Sequence, residues 1–363
     1  MELECLKQNL NNLISLAEKG TSKNVNLPIL QTILLEAKGN NLIIRSTNLD
    51  IGLEFKLNTK ITKDGLVAVD AKNLLNLLNN LNKEEKVVLK SDQGNLIIKT
   101  PKTQTTLKGF TVDDFPIIPK PEGEKNVLNS EILVEGIKSV AYAGSISSIK
   151  PEIASVYVYH DGQNCVFVST DSFRLAEKKF EVKDLNDFPP IIIPLKNSLE
   201  ISRVFELGSS VITVQNNQNQ LFLTADNTYL TSQVVSGVYP DYQQIMPNNF
   251  KTKIEVNKED LISALKTSNI FADRFNQVLV SFNKDSLVIN AKNQDSGENS
   301  STITAHTEGD ELEVVLNAKY ILDGLQSTNT QKVFLGCNEK NRPILMKGVG
   351  DESFRYLIMP VTR

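Results

Sequence analysis

The sequence predicts an α+β fold in which one domain, built from two helices and antiparallel sheets, occurs three times. The main observation is a recurring segment: a mostly apolar run, then a lysine, then a leucine three residues later. It is centred on Lys72, Lys196 and Lys319, at spacings of 124 and 123 residues. A second landmark, Phe115-Pro116, returns 124 residues later as Tyr239-Pro240. A period this long is a whole domain rather than the roughly 20–50 residue unit of a solenoid.

Length and composition agree with three globular domains. The chain has 363 residues, 40% of them apolar and 23% charged, which is typical of a protein with ordinary hydrophobic cores. We expect the domains to span residues 1–122, 127–247 and 251–363. Residues 122–126 and 247–251 are short, polar and rich in turn formers, so they are the predicted joints.

Each domain is predicted to contain the same elements in the same order. It opens with an amphipathic helix, because Leu10, Ile14 and Ala17 recur at helical spacing before Gly20. A β-hairpin follows at residues 33–46, with a twin at residues 156–169. The shared lysine begins a second helix, and a further hairpin ends the domain. Strands should therefore outnumber helices.

Cysteine content and charge restrict the compartment and the partners. Cys5, Cys165 and Cys337 are too far apart in sequence to form a metal-binding pair, so we expect them in cores or strands of a protein from a reducing, cytoplasmic compartment. The chain start has no signal-peptide pattern, and no apolar run approaches the length of a membrane span. The net charge of −4 argues against binding nucleic acid through bulk electrostatics.

Basic residues nevertheless recur on the polar faces of the predicted helices. An isolated lysine of this kind is usually just solvated, but the recurrence at three equivalent positions predicts a common positive surface. Such a surface would attract a polyanion weakly and without reading its sequence. The basic residues are Lys7, Lys19, Lys72, Lys83, Lys138, Lys196, Arg203, Lys258, Lys266 and Lys319.

The sequence carries no recognisable catalytic or metal-binding motif. The two histidines, His160 and His306, lie outside any metal-ligand spacing. No phosphate-binding loop, dinucleotide fingerprint or nucleophile elbow is present. We therefore expect a protein that is not an enzyme, with no catalytic residues, no metal and no cofactor.

Five motifs in order along the repeat resemble one known family. They are Asn26-Leu-Pro-Ile-Leu30, Asp114-Phe-Pro116, Ser169-Thr-Asp-Ser-Phe-Arg-Leu-Ala176, Val238-Tyr-Pro-Asp-Tyr242 and Tyr356-Leu-Ile-Met-Pro-Val361. Together they resemble the bacterial DNA polymerase III β subunit, the sliding clamp, over the whole chain.

This resemblance implies an assembly and a function. It implies a head-to-tail homodimer that forms a ring of six domains, with helices lining the hole and sheets outside. The ring would encircle duplex DNA without sequence preference and act as a processivity factor in DNA replication. Its implied partners are the DNA polymerase III α subunit, the clamp loader, and other replication and repair proteins that carry short hydrophobic clamp-binding motifs. No membrane is involved.

The resemblance also implies a hydrophobic peptide-binding pocket between the second and third domains. Three positions depart from the usual family pattern: Ser172-Phe173 replaces Gly-His, Gln244 replaces Arg, and Thr362-Arg363 replaces Arg-Leu. These changes alter the rim and the preferred partner motif. The implied pocket residues are Ile153, Thr170, Ser172, Phe173, Arg174, Leu175, Pro240, Gln244, Ile245, Phe275, Leu357, Ile358, Met359, Pro360 and Val361.

We also expect two further sets of functional residues, one facing DNA and one at the dimer contact. Asn24 and the loop of Ser147 differ in residue type from the family's DNA contacts. The expected DNA-facing residues are Lys23, Asn24, Lys72, Ser147, Lys150, Lys196, Arg203, Lys266 and Lys319. The expected interface residues are Thr105, Leu107, Asn269 and Ile270.

Two other functional classes stay open at this point. One is a scaffold of three β-rich domains that binds peptides without forming a ring, which would be a monomer. The other is a conventional DNA-binding protein, which the acidic charge and the lack of a helix-turn-helix or zinc pattern disfavour.

Overall fold

The computed structural model describes residues 1–22, 26–81, 84–183, 185, 188–206 and 211–361. Within these residues the chain forms helices and antiparallel strands. The helices are α1 (Lys7–Lys19), α2 (Ala71–Asn80), α3 (Ser130–Val140), α4 (Leu195–Phe205), α5 (Lys258–Asn269) and α6 (Ala318–Gln326).

Strands outnumber helices, as the sequence predicts. The strands of the first half are β1 (Glu2–Leu6), β2 (Thr32–Lys38), β3 (Asn41–Thr47), β4 (Ile51–Asn58), β5 (Lys60–Lys63), β6 (Gly65–Asp70), β7 (Lys86–Asp92), β8 (Asn95–Lys99), β9 (Gln104–Leu107), β10 (Gly109–Phe110), β11 (Asn126–Asn129), β12 (Ser155–His160), β13 (Asn164–Thr170) and β14 (Arg174–Glu181). Those of the second half are β15 (Ile191–Pro194), β16 (Val211–Asn216), β17 (Gln220–Ala225), β18 (Thr228–Gln233), β19 (Thr252–Asn257), β20 (Gln277–Phe282), β21 (Ser286–Asn293), β22 (Gly297–Gly309), β23 (Leu312–Asn317), β24 (Lys332–Cys337), β25 (Ile344–Gly348) and β26 (Phe354–Ile358).

The chain divides into two compact units. The first comprises Met1–Val134 and Leu199–Ser236, and the second comprises Glu135–Ser198 and Gly237–Arg363. The first unit holds a five-stranded sheet, in the order β5-β1-β7-β8-β9, and a nine-stranded sheet, in the order β10-β6-β2-β3-β4-β18-β17-β16-β11. The second holds a twelve-stranded sheet, in the order β15-β12-β13-β14-β26-β25-β24-β19-β22-β21-β20-β23. Since the units divide within α3 and α4 and not at the predicted joints, the three-domain boundaries stay a prediction.

One antiparallel junction in each unit joins strands that are far apart in sequence. In the first unit β4 pairs with β18, so that Leu53 faces Leu230. In the second unit β14 pairs with β26, so that Leu175 faces Leu357. Pairing of this kind satisfies backbone groups that would otherwise form open sheet edges.

The helices form because one face of each is apolar. In α1 the buried residues are Leu10, Ile14 and Ala17, and the helix ends at Gly20, whose N–H donates to the Ala17 carbonyl. Helix and sheet approach closely in the second unit, where a Cβ added at Gly324 of α6 would lie 2.5 Å from the Tyr356 ring. A larger residue there would force the helix away from the sheet.

The prediction that each domain opens with a helix was wrong. A short strand precedes the helix in all three cases, at β1, β11 and β19. In β1 the side chains of Leu3 and Cys5 are buried while Leu6 is exposed, which is the alternation of a strand. Lys7, expected on a polar helix face, is consequently buried at the start of α1.

The three cysteines are buried, as expected. Burial raises the pKa of each thiol to about 12. The thiols are therefore protonated at neutral pH, and they act as small apolar core residues rather than as nucleophiles.

Four tyrosines and a buried carboxylate fix the segment of residues 238–245 on the second unit's sheet. The Tyr239 ring stacks on Tyr157 with centroids 4.6 Å apart. The Tyr242 hydroxyl donates to Glu177 Oε2 at 2.6 Å and lies 2.8 Å from the Tyr159 hydroxyl. Burial and the adjacent Glu177 carboxylate raise the pKa of Tyr242, so this hydroxyl stays a donor. The segment is thus held by stacking and by a buried hydrogen bond.

We predict that Tyr242→Phe lowers the free energy of unfolding by about 1–3 kcal/mol, because it leaves the buried Glu177 carboxylate short of a donor. Tyr239→Phe is the matched control. The Tyr239 hydroxyl is buried without a hydrogen-bond partner among the described residues, so its removal should change stability little. Denaturant unfolding at pH 7 measures both variants, and equal losses would show that the hydrogen bond to Glu177 is not what holds the segment.

Candidate functional site

The turn between β13 and β14 is organised by side-chain hydrogen bonds. The Thr170 hydroxyl donates to the Arg174 carbonyl at 2.6 Å. The Asp171 carboxylate accepts the N–H groups of Phe173 and Arg174, both at 2.9 Å. Ser172 has φ 76°, a left-handed conformation that favours glycine. The turn projects Phe173, which is 63% exposed.

The residues that follow β26, 359–361, pass beside this turn and are held by backbone hydrogen bonds on two sides. The Met359 N–H donates to the Phe173 carbonyl and the Val361 N–H donates to the Val315 carbonyl, both at 2.8 Å. Leu357, Ile358 and Pro360 are buried, whereas Met359 and Val361 are only partly covered. Backbone hydrogen bonds therefore hold the predicted apolar segment in place at Met359 and Val361. Thr362 and Arg363 lie outside the described residues.

Further apolar side chains of the predicted pocket are exposed in the same unit. Phe275 is 54% exposed and Ile245 is 52% exposed, and Pro240 is exposed on the anchored 238–245 segment. The Phe275 backbone is fixed, since Asn317 Nδ2 donates to its carbonyl at 3.1 Å. Exposed apolar groups mark a binding surface where they form a contiguous patch.

Other predicted pocket residues lie beneath the surface. Leu175 is 2% exposed and Thr170 is also buried, so they support the turn rather than meet a ligand directly. Ile153 is partly exposed, and Gln244 is exposed with its amide donating to Asp241 at 2.7 Å. The predicted pocket residues therefore divide into exposed apolar side chains and buried side chains that support them.

Arg174 is bound within the protein and does not project as a free rim cation. Its guanidinium donates to Asp171 at 3.0 Å, to Asp323 at 2.7 Å and to the Tyr142 carbonyl at 2.5 Å. It also lies 4.3 Å from the Tyr320 ring centroid. Burial disfavours its charge, but neighbouring Tyr356 and the two carboxylates outweigh burial and raise the pKa of Arg174. Arg174 therefore links β14 to α6 through Asp323, a role that the sequence did not predict.

The three equivalent lysines are exposed at matching helix positions. Lys72, Lys196 and Lys319 are each the second residue of their helix, in α2, α4 and α6. None forms an ion pair within the described ranges. Positive charge in the first turn opposes the helix dipole, so these lysines do not serve helix stability.

The other residues predicted to face DNA differ in whether their side chains are exposed and free of partners within the protein. Lys266, Ser147 and Lys150 are exposed. Arg203 pairs with Glu200 at 2.5 Å, which offsets its charge. Lys258, one of the predicted basic face residues, donates to the Thr328 carbonyl at 2.5 Å. Lys23, Asn24 and Lys83 lie outside the described residues.

The dimer-contact candidates lie at sheet and helix ends. Thr105 and Leu107 are on β9, the last strand of the five-stranded sheet. Asn269 ends α5, and the next residue, Ile270, is 69% exposed. Sequence reasoning missed β22, whose residues 297–304 pair with β21 while β19 pairs only with residues 305–309. Among the residues that the structure describes, the 297–304 part of β22 therefore has one edge without a strand partner.

Within the described part of the chain there is no cluster of histidine, cysteine and carboxylate side chains suited to a metal ion. No described helix is long and apolar enough to cross a membrane. The geometry instead offers an apolar surface beside an ordered terminal strand, which suits an extended peptide segment.

Comparisons with known proteins agree over the full length. Family models match in order: "DNA polymerase III beta subunit, N-terminal domain" at residues 1–119, the central domain at 127–241 and the C-terminal domain at 243–362. The beta sliding clamp of Synechococcus elongatus is 25% identical over 374 residues, covering 99% of each chain.

Solved structures agree in fold. The DNA polymerase III beta subunit of Thermotoga maritima has a TM-score of 0.94 at 22% identity, covering 100% of this chain and 99% of its own. The DNA polymerase sliding clamp of Bacillus subtilis has a TM-score of 0.93 at 24% identity, with the same coverage. Because the three family models together span most of the sequence, the chain belongs to the DNA polymerase III beta subunit family, the sliding clamps.

Proposed function

We propose that two copies of this chain form a closed ring that encircles duplex DNA and tethers replicative DNA polymerase to it. The observation that carries this proposal is the ordered match of all three clamp-domain models along one chain. The ring acts in the cytoplasm and catalyses no reaction. It needs no cofactor, because its retention on DNA is topological. The open edges of β9 and of residues 297–304 support a head-to-tail contact in which the first domain of one copy meets the third domain of the other.

We predict that the protein in solution has twice the 40.4 kDa mass of the chain. Ile270→Asp should convert it to a monomer, because a carboxylate would be buried in an apolar interface. Ile146→Asp, at a loop residue that is more exposed still, is the control and should stay dimeric. Light scattering at micromolar concentration gives the masses. A monomeric wild type would contradict the ring.

DNA contact in this ring is electrostatic and independent of sequence. The lysines at the second position of α2, α4 and α6 are exposed, and each lacks a carboxylate partner in the described structure. Their number is small and the whole chain is acidic, so contact with linear duplex is weak and decreases as salt screens it. Weak contact of this kind allows the ring to slide.

We predict that replacing Lys72, Lys196 and Lys319 together with Glu weakens binding to a 20-base-pair duplex at least about tenfold at low salt. The fold should be intact or slightly more stable, because an acidic residue in the first turn of a helix contributes about 0.3–1 kcal/mol.

Fluorescence anisotropy and thermal unfolding measure the two effects separately. The matched control replaces three exposed lysines outside the helices, Lys60, Lys125 and Lys284, with Glu, which makes the same change in net charge. Equal weakening in the control would show that overall charge, and not the helix positions, controls DNA binding.

Partner proteins dock through the apolar surface of the second unit. Phe173, Ile245 and Phe275 provide exposed apolar walls, and Met359 provides the terminal one. An extended segment that carries Leu and Phe would bury one or two large side chains there, each worth about 1.5–3 kcal/mol before the cost of ordering the peptide. The polymerase III α subunit, the clamp loader and repair proteins would use this surface in turn.

We predict that Phe275→Ala weakens binding of a Leu-Phe peptide from a partner about ten- to hundredfold, because one apolar wall is lost. Calorimetry gives the affinity, and Ile146→Ala, which removes another exposed apolar side chain of the same unit, should bind normally. Deleting residues 359–363 should also abolish binding, but it breaks the backbone bonds of Met359 and Val361 as well. Unchanged affinity in the Phe275 variant would locate the site elsewhere.

A further inference from the structure

The first unit contains a groove of ≈ 640 Å³ that the proposed function does not use. One wall is the proline-rich segment of residues 115–121, and the floor is the outer face of β2, β3 and β4. We call it the proline groove. Its lining includes Leu34, Arg45, Lys56, Phe115, Ile117 and Lys120.

The internal repeat explains why this groove is open. Leu34 and Phe115 correspond by the repeat to Tyr157 and Tyr239, which stack on each other in the second unit. In the first unit the smaller Leu34 cannot stack in this way, and the groove lies beside it. Ile118 lies instead over Gly52, with its Cγ2 3.1 Å from where a Cβ would stand. The 115–121 segment therefore covers the junction of β4 and β18 and leaves the groove beside it open.

The charges of the proline groove are unbalanced. Arg45 pairs with two carboxylates, Glu36 at 2.6 Å and Glu54 at 2.7 Å, so this cluster of one cation and two anions has a net charge of −1. Lys56 and Lys120 are exposed, and in the parts of the chain that the structure describes neither meets a carboxylate. Three cations and two anions give the groove a net charge of +1, and the unpaired positive charge lies on Lys56 and Lys120, where it complements an acidic side chain.

The proline wall determines how a ligand can be recognised. Prolines have no N–H group, and the Tyr229 hydroxyl is already bonded to the Pro119 carbonyl, so this wall offers a ligand few donors. It offers apolar rings and Ile117, which is 93% exposed. Recognition must then combine apolar contact with the two lysines.

We propose that the proline groove binds an extended segment of a partner protein in which an aromatic side chain is flanked by Asp or Glu. The aromatic ring packs against Phe115, Ile117 and the proline rings, and the acidic side chains reach Lys56 and Lys120. Such a segment would add a second contact for a partner already held elsewhere on the clamp, which raises its avidity.

Isoleucine-methyl NMR on the full-length protein tests this, because Ile117 reports the proline groove and Ile245 reports the other apolar surface. The probe is the peptide acetyl-Gly-Asp-Phe-Asp-Asp-Gly-amide. We expect it to shift the Ile117 signal and leave Ile245 unmoved. Lys56→Glu with Lys120→Glu should weaken binding at least tenfold, and Leu34→Tyr, which copies the second unit, should close the groove.

The matched control is Lys60→Glu with Lys63→Glu, two exposed lysines of β5 in the same unit, which should bind the probe normally. The same peptide with Asn in place of Asp should bind at least tenfold more weakly. An unmoved Ile117 signal, or equal binding by the Lys56/Lys120 variant, overturns the proposal. A stronger shift of Ile117 by a ten-residue oligothymidine would overturn it in favour of single-stranded nucleic acid. None of these outcomes depends on whether Leu-Phe peptides bind at Ile245.

Discussion

Antiparallel pairing between strands distant in sequence is the constraint on which the rest of this structure depends. A β-rich domain exposes sheet edges, and unpaired edges invite uncontrolled association. Here β4 pairs with β18 and β14 pairs with β26, so strands from different repeats form continuous sheets. Within the described residues, β9 and the first half of β22 each keep one edge without a strand partner.

The β14–β26 junction also creates the candidate peptide-binding surface. Pairing brings the Phe173 turn beside Met359, which neither strand could do alone. Arg174 then fixes the turn through carboxylates on two sides, and one of these, Asp323, belongs to α6. A network that is fully paired in this way is costly to break, because removing one partner leaves a buried charge unpaired. The exposed apolar groups thus rest on a rigid foundation, which reduces the ordering cost of binding.

The sequence predicted the parts of the fold that local chemistry determines. Period and turn residues were sufficient for the hairpins and for α2, and the repeat located the three equivalent lysines. It missed the opening strands, because five residues such as those of β1 carry too little pattern beside a strong helix signal. It also assigned Leu175 and Arg174 to a pocket surface. Their burial follows from pairing with residues about 150–180 positions later, which no local pattern reveals.

The two junctions show how one backbone design acquires two surfaces. Leu49 and Ser172 share the same left-handed backbone, with φ 77° and 76°. The Thr47 hydroxyl caps its turn at 2.9 Å, as the Thr170 hydroxyl does at 2.6 Å. Hydrogen bonding is thus preserved, and the two units differ in side-chain volume at equivalent positions. In the second unit Tyr157 of β12 stacks on Tyr239, whereas in the first unit the smaller Leu34 of β2 replaces Tyr157 and the proline groove lies beside it. Side-chain volume at this strand position, and not the hydrogen bonding of the turn, therefore decides which face of each junction can receive a ligand.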